Sequence, residues 1–257
     1  MNKVAAIVGG GRSLGEYLCK FLAKREYRVA VLDIDISNAE RVAKEIKDNG
    51  GNAEGFYIDA CKEESVGTAF DSVVDEFGSI DAMIYNAGIA KSRMVVEFEL
   101  RDFIKCMDIN LVGYFLCARK TAEIMIDKGV KGRIIQINSK SGKVGSKFNC
   151  GYSAAKFGGV GLTQSIALDL AEYGITVNSL MLGNLLYSDM FQSLVPSYAK
   201  KLGVSVEEVV PIYINKVPLK RGCEFEDVAN VLYFYISDEA SYCTGQSINI
   251  TGGQVMH

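Results

Sequence analysis

Short apolar runs, each about the length of a strand, return along the chain at regular intervals. Val4–Val8, Arg28–Asp33, Ala53–Ile58, Ala82–Tyr85, Arg133–Asn138, Thr176–Leu182 and Ser247–Ile250 read as strands. Most carry Val, Ile or Leu at successive positions, which marks a strand covered on both faces. Between them the apolar period changes. Leu14, Tyr17, Leu18, Phe21 and Leu22 fall at the spacing of a helix with one buried face. Further helix patterns cover 38–48, 63–77, 101–127, 153–172 and 225–236. This alternation predicts an α/β fold with a doubly wound parallel sheet of seven strands and helices on both faces. One stretch, 184–220, breaks the rhythm. It holds Pro196, Pro211 and Pro218, all the prolines of the chain, and reads as an inserted lid over a substrate. Its Met, Phe and Tyr residues read equally as packing against the core. No linker, low-complexity tract or charge block divides the remainder, so 1–257 reads as one domain.

Composition narrows what such a sheet does. The 257 residues are close to half apolar, enough for one large core. A net charge of −3 offers no general attraction for nucleic acid or an anionic membrane surface. Any bound anion must therefore be held by a local cluster. No apolar run approaches the length of a bilayer span. The opening MNKVAAIVGGG leads straight into a glycine loop and is too short for the apolar region of a signal peptide. Cysteines at 19, 61, 106, 117, 150, 223 and 243 are odd in number and form no CxxC, which predicts reduced thiols in a cytoplasmic protein. The only histidine is His257, so neither a His-based triad nor a His-ligated zinc site is expected, and no metal is assigned.

The first strand runs into VGGGRSLG, Val8–Gly15, which opens the first helix. Glycines let a backbone turn tightly against a pyrophosphate, and a helix start presents free N–H groups. Asp33 ends the next strand, where a carboxylate accepts hydrogen bonds from ribose hydroxyls. Its charge would repel the additional phosphate of NADP, so it favours NAD. Arg12 pulls the other way if it pairs with that phosphate, and is otherwise a solvated cation.

The second candidate centre is INSKSGKVGSKFNCGYSAAK, Ile137–Lys156, with four lysines and no acid. Tyr152 and Lys156 stand four apart at a predicted helix start and share one face. A phenol ionises near pH 10, but a neighbouring ammonium and an oxidised nicotinamide both favour phenolate. Bringing it near neutrality takes about 4 kcal/mol. Tyr152 would then take the hydroxyl proton of an alcohol as hydride leaves its carbon. Ser139 precedes it at the end of a strand, YNAG (Tyr85–Gly88) follows the fourth strand, and Asn110 lies in DINLVGYF.

With these motifs the chain resembles the short-chain dehydrogenase/reductase family over essentially its full length. The resemblance implies a single Rossmann-type domain and an assembly of two or four copies, with a homotetramer favoured. It implies a catalytic tetrad of Asn110, Ser139, Tyr152 and Lys156. Ser steadies the substrate oxygen, Tyr is acid and base, Lys holds ribose and Tyr, and Asn holds a relay water. It implies a cofactor surface of Gly9, Gly11, Arg12, Ser13, Leu14, Gly15, Asp33, Asp59, Ala60, Asn86, Ala87, Gly88, Tyr152, Lys156 and Gly183. Four positions depart from the family pattern: Val8 for Thr, Ser13 for Gly, Tyr85 for Asn and Leu182 for Pro.

Within the family, Gly132–Asn184, KVPLKRGC and SYCTGQSINITGGQVM are most similar to dehydrogenases of sugar-alcohol phosphates. That implies oxidation of a small sugar-alcohol phosphate at a secondary hydroxyl, with NAD accepting the hydride. A phosphate requires cationic or N–H donors. The candidates are Lys91, Arg93, Lys140, Lys143 and Lys147, on loops at the carboxyl ends of the strands, with Ser139 beside them; Lys216, Lys220 and Arg221 come second. Each is equally a solvated surface cation. Two other readings stand: a family member acting on an unphosphorylated polyol or another ketone, and a non-catalytic dinucleotide-binding regulator.

Overall fold

The structure is a computed structural model and describes residues 2–257. Strands β1 (Val4–Val8), β2 (Arg28–Asp33), β3 (Asn52–Tyr57), β4 (Ala82–Tyr85), β5 (Arg133–Ser139), β6 (Thr176–Leu182) and β7 (Ser247–Ile250) make one sheet. Their order is β3-β2-β1-β4-β5-β6-β7, and every pairing is parallel. The chain starts at β1, winds outward to β3, then returns to β4 and winds the other way. That reversal opens a crevice at the carboxyl ends of β1 and β4, where open sheets take ligands.

The helices are α1 (Ser13–Ala23), α2 (Ile36–Asp48), α3 (Glu63–Phe77), α4 (Leu100–Met107), α5 (Gly113–Asp127), α6 (Cys150–Leu170), α7 (Asp189–Leu202), α8 (Val206–Asn215) and α9 (Phe225–Ile236). Two apolar layers sandwich the sheet. Leu18 and Leu22 of α1, Val42 of α2 and Leu232 of α9 pack with Ile7, Val31 and Ile135. Phe70 and Val73 of α3 and Tyr114 and Met125 of α5 pack with Val4, Ala6 and Met83 on the other face. Every residue of β1, β4 and β6 is buried, as their unbroken apolar runs require.

Three differences from the sequence reading matter for the site. The pattern at 101–127 is two helices joined by a π turn, Asp108–Val112. Helix α6 starts at Cys150, so Tyr152 lies in its first turn. Segment 184–220 is largely helical, with Pro196 inside α7 and Pro211 inside α8. Proline usually interrupts a helix by removing a donor. Here a small core of Leu186, Phe191, Leu194, Val195, Tyr198, Ala199 and Val209 holds both helices together.

Candidate active site

The glycine loop lies hard against the β4 turn. Gly9 adopts φ +78°, and a Cβ there would stand 2.9 Å from the Ala87 backbone. A Cβ on Gly15 would stand 1.9 Å from the Gly9 carbonyl oxygen, so no larger residue fits. The loop is then locked. The Gly9 and Gly10 N–H groups donate to the Leu32 carbonyl. Asn86 Nδ2 donates to the Gly9 carbonyl at 2.8 Å, and Gly11 N–H donates to Asp33 Oδ2 at 2.9 Å. Arg41 braces it from outside, donating to the Gly11 carbonyl.

A cavity of about 860 Å³ runs from this loop to the end of β6. Gly9, Arg12, Ser13, Leu14, Asp33, Asp59, Ala60, Asn86, Ala87, Gly88 and Gly183 line it, as do Ser139, Tyr152 and Lys156. Gly11 and Gly15 shape the loop without lining the cavity. The start of α1 opens on it, with N–H groups that no helix carbonyl can satisfy. Asp33 sits beneath, and no larger side chain fits over it, because a Cβ on Gly11 would lie 2.8 Å from Asp33 Oδ2. Glycine loop, helix start and ribose-side carboxylate together fit a nicotinamide dinucleotide.

At the other end, Ser139 is the last residue of β5 and Tyr152 stands in the first turn of α6. Lys156 is buried (4 % exposed) and its Nζ donates to the Ile137 carbonyl at 3.0 Å. The ammonium lies 5.6 Å from the centre of the Tyr152 ring. Burial pulls Lys156 down to about 8. Burial likewise pushes Tyr152 up to about 12, while the adjacent Ser139 hydroxyl pulls it downward. The sequence reading expected the ammonium to favour phenolate. In the protein alone desolvation wins, since enclosure penalises the charged form of both groups.

Asn110 is fully buried in the π turn. Its Nδ2 donates to the Ile89 carbonyl at 2.9 Å and to the Cys106 carbonyl at 2.8 Å. Its Oδ1 has no partner and faces Gly88, where a Cβ would come within 2.8 Å of it. Tyr85, the departure from the family pattern, is wholly buried. Its hydroxyl donates to the Ile109 carbonyl within the π turn. Ser13, another departure, holds φ +52°, a left-handed conformation that favours glycine.

Sequence reasoning missed the polar ladder behind the tetrad. Asn138 Oδ1 accepts from the Ser139 N–H at 2.7 Å, and Asn138 Nδ2 donates to the Lys156 carbonyl at 3.1 Å. Asn138 Nδ2 also reaches Gln136 Oε1, which accepts from the Ser179 hydroxyl. These buried groups fix β5 to α6. Polar residues at alternate positions of an otherwise apolar strand, Gln136 and Asn138, were the available signal. Sequence reasoning also missed Tyr198, Lys201 and Tyr213 on the α7–α8 wall, where both tyrosines line the cavity.

The phosphate candidates separate. Lys140 lines the cavity, half-buried, with its Nζ donating to Gln254 Oε1 at 2.6 Å. The other four do not line it. Lys143 turns to the far end of β7 and donates to the Ser247 carbonyl. Lys91 pairs with Asp102 and Arg93 with Glu99. Lys147 is exposed, its ammonium over the Phe148 ring. Lys91, Lys143 and Arg93 thus have polar partners within the chain, while Lys147 has only a ring contact.

The family model for short chain dehydrogenases matches residues 3–199. The chain is 62% identical to the sorbitol-6-phosphate 2-dehydrogenase of Escherichia coli K12 over 259 aligned residues, covering all of both chains. A solved structure of the sorbitol-6-phosphate 2-dehydrogenase of Erwinia amylovora superposes with a TM-score of 0.97 at 61% identity, covering 98% of this chain and 100% of that one. An NAD⁺-bound xylitol dehydrogenase superposes with a TM-score of 0.93 at 30% identity, covering 98% of each chain.

Proposed function

The chain belongs to the short-chain dehydrogenase family, and on that ground we propose that it oxidises D-sorbitol 6-phosphate at C2 to D-fructose 6-phosphate with NAD as acceptor. The likeness to the E. coli enzyme across the whole of both chains carries the choice of substrate. NAD, when bound, supplies the hydride acceptor and a cationic ring. Gly9, Arg12, Ser13, Leu14, Asp33, Asp59, Ala60, Asn86, Ala87, Gly88 and Gly183 would hold it, with Lys156 on the ribose. Asp33 supports NAD over NADP, since its carboxylate faces the place an additional phosphate would need.

The protein's own residues handle the proton. Ser139 holds the substrate oxygen beside Tyr152. Tyr152, once its own proton has left through the relay water and the Lys156 charge favours the phenolate, takes the C2 hydroxyl proton on its oxygen. Lys156, fixed by the Ile137 carbonyl, sets the field at the phenol. Asn110 keeps the Ile89 loop and the π turn in place, with Oδ1 free toward a relay water. Helices α7 and α8 act as the lid that excludes water. The seven cysteines are all free, which fits a cytoplasmic setting, and among the described residues no helix is long and apolar enough to cross a membrane. A homotetramer is the assembly proposed.

NADH and NADPH formation from sorbitol 6-phosphate, free sorbitol and xylitol tests the reading. Sorbitol 6-phosphate with NAD is expected to lead, with kcat/KM at least tenfold above the free polyols. Comparable turnover of free sorbitol overturns the phosphate assignment. Tyr152→Phe is expected to remove nearly all hydride transfer, whereas a dinucleotide-binding regulator would be indifferent to it.

A further inference from the structure

We propose that Lys140, Lys201 and Lys216 form the phosphate-binding end of the substrate site, with Tyr198 and Tyr213 as its wall. The assignment rests on the substrate class proposed above and adds the residues that select it. Tyr198 and Tyr213 line the same cavity as Tyr152. Their rings stack, with centres 5.4 Å apart and planes 27° from parallel. The Lys201 ammonium lies 5.4 Å from the Tyr198 ring centre, and that of Lys216 lies 5.1 Å from the Tyr213 ring centre. Lys140 lines the same cavity, tethered to Gln254. Burial and, after it, the charges of Lys216 and Lys201 lower Lys140 to about 8. Burial lowers Lys201 as well, and Lys216 and Lys147 press on it in turn.

No carboxylate pairs with Lys140, Lys201 or Lys216 among the described residues. Several surface cations elsewhere find acids: Lys20 and Arg41 meet Glu16 and Glu45, and Lys44 meets Asp48. Converging ammonium groups without a counter-ion raise the energy of the empty site. A phosphate ester, with a charge between one and two at neutral pH and three acceptor oxygens, relieves that repulsion. Lys216 is exposed and Lys201 half-buried, and neither lines the cavity as it stands; ammonium–ring contacts are weak enough for both to swing to an anion there. Tyr198 also adjoins Tyr152 closely enough to bear on its ionisation. Tyr198 lines the cavity with Tyr152 and carries Lys201 over its ring, which sets the cluster apart from the tetrad, as a phosphate at the opposite end of a hexitol from C2 requires.

The test uses Lys201→Gln, Lys216→Gln and the double variant, with Lys91→Gln as control. KM and kcat are measured for sorbitol 6-phosphate and for free sorbitol, and inorganic phosphate is titrated as a competitive inhibitor. Each single variant is expected to raise KM for sorbitol 6-phosphate about tenfold, the loss of one charge-assisted hydrogen bond. KM for NAD and turnover of free sorbitol stay level, inhibition by phosphate weakens in parallel, and Lys216→Arg restores binding. An unchanged KM and unchanged phosphate inhibition in the double variant overturn the proposal. If the wild-type enzyme does not oxidise sorbitol 6-phosphate, the substrate reading fails by itself. Phosphate inhibition that disappears in the double variant would even then support the anion site, and its absence in the wild type would sink it.

Discussion

Lys156 sits where its own charge is unwelcome. Its ordinary value of 10.5 falls to about 8 on burial, so the folded protein resists holding it protonated. The sign follows: below pH 8 both folded and unfolded chains carry the proton, and the folded one bears the full penalty. Between about 8 and 10.5 the folded state releases its proton first, and stability rises with pH. Lys156→Met removes the penalty, about 3 kcal/mol, less the lost bond to the Ile137 carbonyl. Urea unfolding at pH 7 is expected to show the inactive variant as the more stable protein, with the difference shrinking toward pH 10. A difference that ignores pH contradicts this account. Such stored strain is common where function needs a group that folding would discard. Ser13 is a second, smaller case: its left-handed backbone is disfavoured, yet its hydroxyl accepts a long contact from the Asp189 N–H at the start of α7.

Among the elements, the π turn between α4 and α5 shows why some of the site could be read in advance and some could not. The apolar period at 101–127 continues through the turn, so the pattern alone predicts one helix. The extra residue that turns Asn110 inward leaves no periodic trace. The signal lay elsewhere, in Tyr85, whose hydroxyl caps the Ile109 carbonyl from another strand. Tyr85→Phe leaves that carbonyl without a donor in the interior. It is expected to cost about 1–3 kcal/mol of stability and to lower kcat with little change in KM for NAD. Wild-type values in unfolding and steady-state assays would refute this. The strands were legible because burial on both faces writes itself as unbroken Val, Ile and Leu. Five of the seven, β1, β2, β4, β6 and β7, match the sequence reading end to end. Helices α7 and α8 were illegible because Pro196 and Pro211 announce breaks, while the packing that tolerates them is tertiary. The Tyr152–Lys156 pair was legible because its spacing is local, while Asn110 and Ser139 were read from the family resemblance. Lys140 and Lys216 were each named as candidates, but their grouping with Lys201 was not legible, since Lys201 and Lys216 lie on and after helices that the prolines hid.

At the scale of the molecule, the two apolar layers are fully used, but the outer surfaces of α5 and α6 are not. Val112 of the π turn, Phe115 of α5, and Phe157 and Leu168 of α6 stay exposed, and exposed apolar side chains that form one patch mark an interaction surface. The proposed homotetramer would cover such a surface. Phe157→Glu is expected to give a smaller species in sedimentation velocity, with NAD binding retained. An unchanged sedimentation coefficient places the contact on another face. The sheet also separates the two ends of the chain. Asn2 leads into the amino end of β1, whereas the residues after β7 bond to two side chains that line the cavity. Gln254 accepts from both Lys140 and Asn184, the Thr251 hydroxyl donates to the Val255 carbonyl, and Asn249 donates to the His257 carbonyl. This asymmetry has a practical consequence: Gln254→Ala, which takes the shared partner from Lys140 and Asn184, is expected to change substrate affinity in steady-state assays while leaving Ser139, Tyr152 and Lys156 untouched.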